Sequence, residues 1–200
     1  MESRRDSILD AALRSFAERG VSATTVEHIR SLSGASVGSI YHHFGHKEGI
    51  AAALYVHALR SYQEGFAAVI EDAPDAERGV KRLVRHHLRW VAANPELARY
   101  LLAGAPPGAA AAVDGLNREL FSLTGRWVSG HVRAGALRRL PRGPFYAVLV
   151  GPAQEFCRQW LAGRSPGSMR SAERVLPRAA WDSLAGPVLR GRGPGASPRR

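Results

Sequence analysis

The stretch Thr24–Lys47, TTVEHIRSLSGASVGSIYHHFGHK, limits the possible folds more than any other part of the chain. Two short helical patterns flank a break at Ser33-Gly34-Ala35. In the first, Val26 and Ile29 share a face that Leu32 closes. Thr25 stands where an N-cap hydroxyl accepts a backbone N–H. Gly34 supplies the backbone freedom of a tight helix-to-helix turn. Ser36 then caps a second helix bearing Val37, Ile40, Tyr41 and Phe44. Helix, glycine turn and short helix is the arrangement that lays a second helix in a DNA major groove.

Ile8, Ala11, Ala12, Phe16 and Gly20 precede this stretch, and Thr25, Ile29, Gly34, Ser36, Gly38, Ile40, Tyr41, His43, Phe44, Lys47 and Glu48 run through it. As a set, over the first quarter of the chain, they resemble the TetR/AcrR family of one-component transcriptional regulators. The resemblance implies an all-α fold: a three-helix head with the helix-turn-helix, then a helical body for ligand binding and dimerisation, with its last two helices paired across a two-fold axis. Four positions depart from the family pattern. Arg30 and Ser33 stand where alanine is usual, Ala35 where valine is usual, and His46 where serine or asparagine is usual. They bear on how the second helix packs and how the fourth is capped.

Composition narrows the class. Apolar content of 45% suffices to bury a core. A single cysteine, Cys157, excludes an intrachain disulfide and points to a reducing compartment. The charged start (Glu2, Arg4, Arg5, Asp6) is followed by no secretory apolar segment, and no run approaches the ~20 apolar residues of a membrane helix. A soluble, cytoplasmic protein without membrane contact is expected. The net charge of +11 suits a nucleic-acid partner. Residues 1–48 nevertheless hold six basic and six acidic side chains, so the whole excess lies beyond them. Placement of side chains, not bulk charge, identifies the reading head.

Periodicity predicts about nine helices and no strands. The first runs from Ser3 to Arg19 and ends at Gly20; a long one runs from His46 to Ile70 and stops at Asp72-Ala73-Pro74-Asp75. Glu77–Ala93 carries an apolar stripe of Val80, Leu83, Val84, His87, Leu88 and Val91. Asn94-Pro95 restarts a helix as far as Gly104, and another spans the alanine-rich 109–112 to Ala136. Phe145–Ala162 begins apolar nearly all round, with a kink expected at Gly151-Pro152. A last helix falls within Ser168–Leu184, kinked or started by Pro177. The boundaries read as 1–47 for the head, 48–186 for the body and 187–200 for a disordered basic tail. The arginines of that tail are loose DNA contacts or inert solubilising charge.

Thr25, Ser36, Val37, Gly38, Ser39, Tyr41, His42, His43 and Lys47 are the expected DNA-binding residues. Val37 suits a thymine methyl, and Ser39 and His42 suit base edges. Tyr41 is expected to bury its ring and reach phosphate with its hydroxyl, and Lys47 to hold phosphate beside the free N–H groups of the fourth helix. Gly38 costs ~1 kcal/mol against alanine in a helix, reasonable where backbone approaches DNA. His42, His43, His46 and Glu48 do not make a metal site, because adjacent helical residues diverge by about 100°. In the body, Tyr62, Phe66, His86, Trp90, Tyr100, Phe121, Trp127, His131 and Glu155 are candidates to line a ligand pocket or to be plain core. Phe145, Leu149, Phe156, Leu176, Ala180 and Leu184 are candidates for a homodimer seam.

The function read from these residues is a homodimeric repressor that a small, largely apolar molecule releases from a palindromic DNA operator. A ligand-independent architectural DNA-binding protein is the nearer alternative. An enzyme is disfavoured, since no nucleophile–base pair, metal ligand set or phosphate loop stands out, and no cofactor is expected.

Overall fold

The computed structural model describes residues 3–164 and 167–187. Among these, nine helices follow one another: α1 (Arg4–Ala23), α2 (Val26–Ser33), α3 (Val37–Phe44), α4 (Lys47–Glu71), α5 (Ala76–Ala93), α6 (Pro95–Leu102), α7 (Ala110–Arg133), α8 (Arg142–Leu161) and α9 (Met169–Leu184). No strand forms among the described residues; a single antiparallel bridge joins Leu137 to Ala185. The described residues divide into two compact units, Met1–Ser61 with Asn94–Asn117, and Tyr62–Ala93 with Arg118–Arg200. The division falls inside α4 rather than at its start, and α6 joins the amino-terminal unit. Beyond Pro187, the basic tail lies outside the described residues.

The amino-terminal unit is built on α1. Ser3 caps it, accepting from the Asp6 N–H at 3.2 Å. Gly20 interrupts the helix at φ 76, ψ 161, and one more turn follows to Ala23. The Thr24 hydroxyl ties that turn back, donating to the Gly20 carbonyl at 2.8 Å and the Ser15 carbonyl at 3.1 Å. Ile8, Leu9, Ala12 and Phe16 of α1 pack with Ile29, Ile40, Ile50 and Leu54 in one buried cluster. Leu32 does not close the face of α2 as its spacing suggested; it is 47% exposed. From α6, Tyr100 stacks on Phe16 at 6.0 Å and donates its hydroxyl to the Ala51 carbonyl at 3.0 Å.

In the carboxy-terminal unit, α5 buries the stripe read from its sequence: Val80, Leu83, Val84, His87, Leu88 and Val91. α8 and α9 pack on α5 and on each other. Phe145, Leu149, Ala153, Cys157 and Leu161 recur every fourth residue of α8 and are all buried. At its start Tyr146, Val148 and Val150 are half-buried beside the buried Phe145 and Leu149, while Ala147, Pro152, Glu155 and Gln159 stay exposed. Pro152 lies within α8, and Pro177 lies well inside α9 and is buried there.

Candidate nucleic-acid interface

Each helix of the turn motif is held by its own cap. The Thr25 hydroxyl accepts from the His28 N–H at 3.2 Å, and His28 Nδ1 accepts from the Thr25 N–H at 3.2 Å. That reciprocal pair satisfies two donors that a helix start leaves open. Gly34 ends α2 at φ 64, ψ 11, a left-handed conformation that suits glycine. Ser33 Oγ accepts from the Ala35 N–H at 3.2 Å, and Arg30 pairs with Glu27 on the exposed face of α2. The unusual residues at 30, 33 and 35 are thus accommodated by an ion pair, a turn bond and, for Ala35, burial. Ser36 caps α3, accepting from the Ser39 N–H at 3.1 Å.

α3 is anchored by Ile40, which is 1% exposed. Gly38, His42 and His43 face solvent and Ser39 is half-buried, while Val37 is 43% exposed. Tyr41 corrects an expectation. Its ring is not buried; the residue is 51% exposed. The Lys47 ammonium donates to the Ser22 carbonyl at 3.0 Å, tying α4 to the end of α1. Its remaining N–H donors are the ones available to a phosphate. His46 supplies the cap that sequence left open, with Nδ1 accepting from the Gly49 N–H at 3.0 Å. A Cβ at Gly49 would lie 2.0 Å from the Phe44 carbonyl oxygen, so backbone meets backbone where α4 follows α3. Arg5, read as a charged helix end, lies over the Phe44 ring at 5.7 Å. No cluster of three metal-ligating side chains occurs among the described residues.

The body candidates separate into groups. Tyr62 is central to the first, with ring centroids 6.0 Å from Phe66, 5.4 Å from His86 and 5.4 Å from Trp90. His86 Nε2 donates to the Tyr62 carbonyl at 2.9 Å, and the Tyr62 hydroxyl bonds His87 Nδ1 at 3.1 Å. His87 is 8% exposed and its Nε2 has no protein partner among the described residues. Burial, with the His86 ring beside it, lowers His87 to about 4, and burial pushes the Cys157 thiol up to about 12. Phe121 pairs with Tyr146 at 5.2 Å, and Trp127 with His131 at 4.6 Å. A cavity of about 180 Å³ opens beside Phe121, Thr124 and Tyr146.

Two candidates fall elsewhere. Tyr100 belongs to the amino-terminal unit, against Phe16 and Ala51. Glu155 is on the exposed side of α8, where Arg158 and Gln159 hold its carboxylate near 2. Of the expected seam, Phe145, Leu149, Ala180 and Leu184 are consumed inside the chain's own core, at 6% exposure or less. Phe156 and Leu176 remain half-buried, and Val175 beside them is 54% exposed. Sequence reasoning missed His46 and His28 as caps and Gly49 as a contact point; only the Nδ1 position of a histidine just before or inside a helix start hinted at the first two.

A short helix capped by serine, following a glycine turn and presenting polar and apolar side chains to solvent, is the geometry of a helix-turn-helix motif. Residues 8–54 match the model for bacterial regulatory proteins of the tetR family. That match covers about a quarter of the chain, so the amino-terminal head is similar to the helix-turn-helix domain of that family. The chain is 38% identical over 83 residues to the HTH-type transcriptional regulator BetI of Burkholderia thailandensis, covering 42% of this chain and 43% of that protein. It is 40% identical over 76 residues to the HTH-type transcriptional repressor KstR2 of Mycobacterium tuberculosis, 38% of this chain and 36% of that one. Each match thus spans less than half of the relative's length. The fold is similar to that of the regulator FadR from Bacillus subtilis in complex with stearoyl-CoA, with a TM-score of 0.74, 17% identity, and coverage of 87% of this chain and 96% of that one.

Proposed function

We propose that the protein is a homodimeric transcriptional repressor that binds a palindromic DNA operator and releases it when a small, largely apolar molecule occupies the helical body. One observation carries the reading: on α3, Ile40 and Phe44 pack on the core, while Val37 and Tyr41 stand in water. Full burial of such a side chain is worth ~1.5–3 kcal/mol, a gain left for a partner to collect. Val37, Gly38, Ser39 and His42 are assigned to the base edges. Tyr41, His43, the remaining donors of Lys47 and the starts of α2 and α3 at Thr25 and Ser36 are assigned to phosphates. The name of KstR2 supports repression, and the bound stearoyl-CoA of FadR supports a ligand in the body. Two heads related by a two-fold axis read half-sites about 34–36 Å apart. Phe156, Leu176 and Val175 are the side chains of α8 and α9 left for that seam. Among the described residues no helix is long and apolar enough to cross a membrane.

The test is a footprint on DNA flanking the gene. Protection confined to one short palindrome is expected; protection without boundaries would favour an architectural protein instead. Titrating the formed complex with candidate molecules tests release, since a hundredfold loss of affinity requires ~2.7 kcal/mol of differential binding, shared reciprocally by ligand and DNA.

A further inference from the structure

Between α7 and the start of α8, within the carboxy-terminal unit, lies the cavity of about 180 Å³. At ~30 Å³ per water molecule it corresponds to roughly six waters, about the bulk of one benzene ring with a carboxylate. Its walls are Phe121, Val128, Leu140 and Phe145, with the hydroxyls of Thr124 and Tyr146 among them. Thr124 is 1% exposed, so its hydroxyl is an interior feature rather than a surface one.

One charged side chain lines this space, Arg142. Its guanidinium lies over the Phe121 ring at 4.9 Å. Among the described residues no carboxylate pairs with it, unlike Arg30, Arg78, Arg82, Arg89, Arg158 and Arg178. The Tyr146 ring lies 5.2 Å from the same Phe121 ring, so Arg142 and Tyr146 both flank Phe121. Arg142 also begins α8, where Pro141 offers no side-chain cap and the Arg142 and Gly143 N–H groups are left open, since Pro144 has none and Phe145 donates to the Pro141 carbonyl. The Thr124 hydroxyl is spent on the Leu120 carbonyl at 2.7 Å, so the planar guanidinium and the uncapped helix start are what favour a negative, planar oxygen group, while the rest of the wall favours hydrocarbon.

We propose that this cavity takes a small carboxylate carrying one apolar ring or a short branched chain. Its carboxylate pairs with Arg142, and its hydrocarbon lies against Phe121, Val128 and Phe145. The proposal rests on the ligand-responsive reading above and names the class of effector. A neutral molecule of the same shape loses the charge-assisted pair and leaves the guanidinium without a counter-charge.

The test is calorimetric titration of the full chain with benzoate, against benzyl alcohol as a neutral molecule of the same size. Arg142 is exposed, so benzoate is expected to bind saturably, one per chain, about threefold to fivefold tighter than benzyl alcohol, the margin of a solvent-exposed ion pair. Arg142→Gln should erase that margin while leaving benzyl alcohol binding unchanged. Gly125→Leu, on the cavity wall where an added Cβ meets nothing within 4 Å, should remove both without harming the helix. Equal binding of the two probes, a margin that survives Arg142→Gln, or no saturable binding of either at millimolar concentration would each overturn the site. Operator binding is followed separately. If benzoate binds as expected but never changes affinity for a footprinted operator, the ligand-responsive reading fails and the site stands. If another molecule releases the operator while benzoate finds no site, the reading stands and the site fails.

Discussion

The two compact units depart from the usual partition of side chains with different emphasis. The amino-terminal unit leaves apolar groups outside: Leu32, Val37 and Tyr41 are each more than 40% exposed. The carboxy-terminal unit exposes Val175 but draws larger polar groups inside: Gln63, His87 and Thr124 are each at 8% exposure or less, where the amino-terminal unit buries only the small hydroxyl residues Ser15 and Thr24. Both arrangements forgo stability, since exposed hydrocarbon misses burial and buried polar groups must find partners. The first is the mark of a surface awaiting a macromolecule, the second of an interior that tolerates, or receives, polar contacts. A single chain thus carries two kinds of unfinished business, one facing outward and one facing inward.

The sharpest way to break this contrast is to place the same charge in both units. Leu149→Arg puts an arginine at a position 1% exposed, without a partner, and should cost more than ~3 kcal/mol and abolish a cooperative melt. Val37→Arg, in the other unit, should change the melting temperature little. Equal melting of both variants would sink the distinction.

Acid should next separate the units. His87 is held neutral by burial, to about 4, so the unfolded chain takes up its proton first as the pH falls. The stability it contributes is complete above its ordinary range near ~6.5 and is lost as pH falls toward 4, by up to ~3 kcal/mol. Denaturant melts between pH 7 and 4 should show that slope, and His87→Gln should flatten it. An unchanged slope would assign acid sensitivity elsewhere.

Tyr41→Ala should leave the melt within about 1 kcal/mol of the parent, as for an exposed side chain, yet weaken operator binding by ~1–3 kcal/mol at equal salt. Anisotropy of a labelled duplex reads the second quantity; a loss of folding in place of affinity would make Tyr41 structural. The smallest effect belongs to His46. Removing the cap with His46→Ala should cost ~1 kcal/mol, whereas His46→Asn should keep it, because asparagine also caps helix starts well. Equal losses in both variants would show that His46 acts through something other than the Gly49 N–H.

Much of the amino-terminal unit was legible because its devices are local. Thr25 and Ser36 cap helices that begin one residue later, and Gly34 turns the chain between them, all within a dozen residues. Exposure of Leu32 was not legible, since the packing of α1 on α2 decides which side of a short helix is covered. Tyr100 escaped for the same reason: nothing near it in sequence says that α6 joins Phe16 and Ala51. Glu155 could have been read better. It lies two residues from both Ala153 and Cys157, about 200° round the helix from each, so a row that buries those two points it away. The row Phe145, Leu149, Ala153 and Cys157 was visible as apolar spacing. Spacing alone does not say whether its partner is the same chain or a second copy, and here the chain's own α5 and α9 take it.

The contact at Gly49 has a mechanical consequence. Joints between helices are usually cushioned by side chains that can slip between rotamers before they transmit a push. Here the space for even one methyl group is missing, since a Cβ would sit 2.0 Å from the Phe44 carbonyl oxygen. A joint with no cushion has no backlash: a small rotation of the first turn of α4 reaches the end of α3 undamped. It also separates two design freedoms. Residues on the outer face of α3 are free to drift toward a new DNA sequence, because none of them is a tooth in the gear that moves the helix.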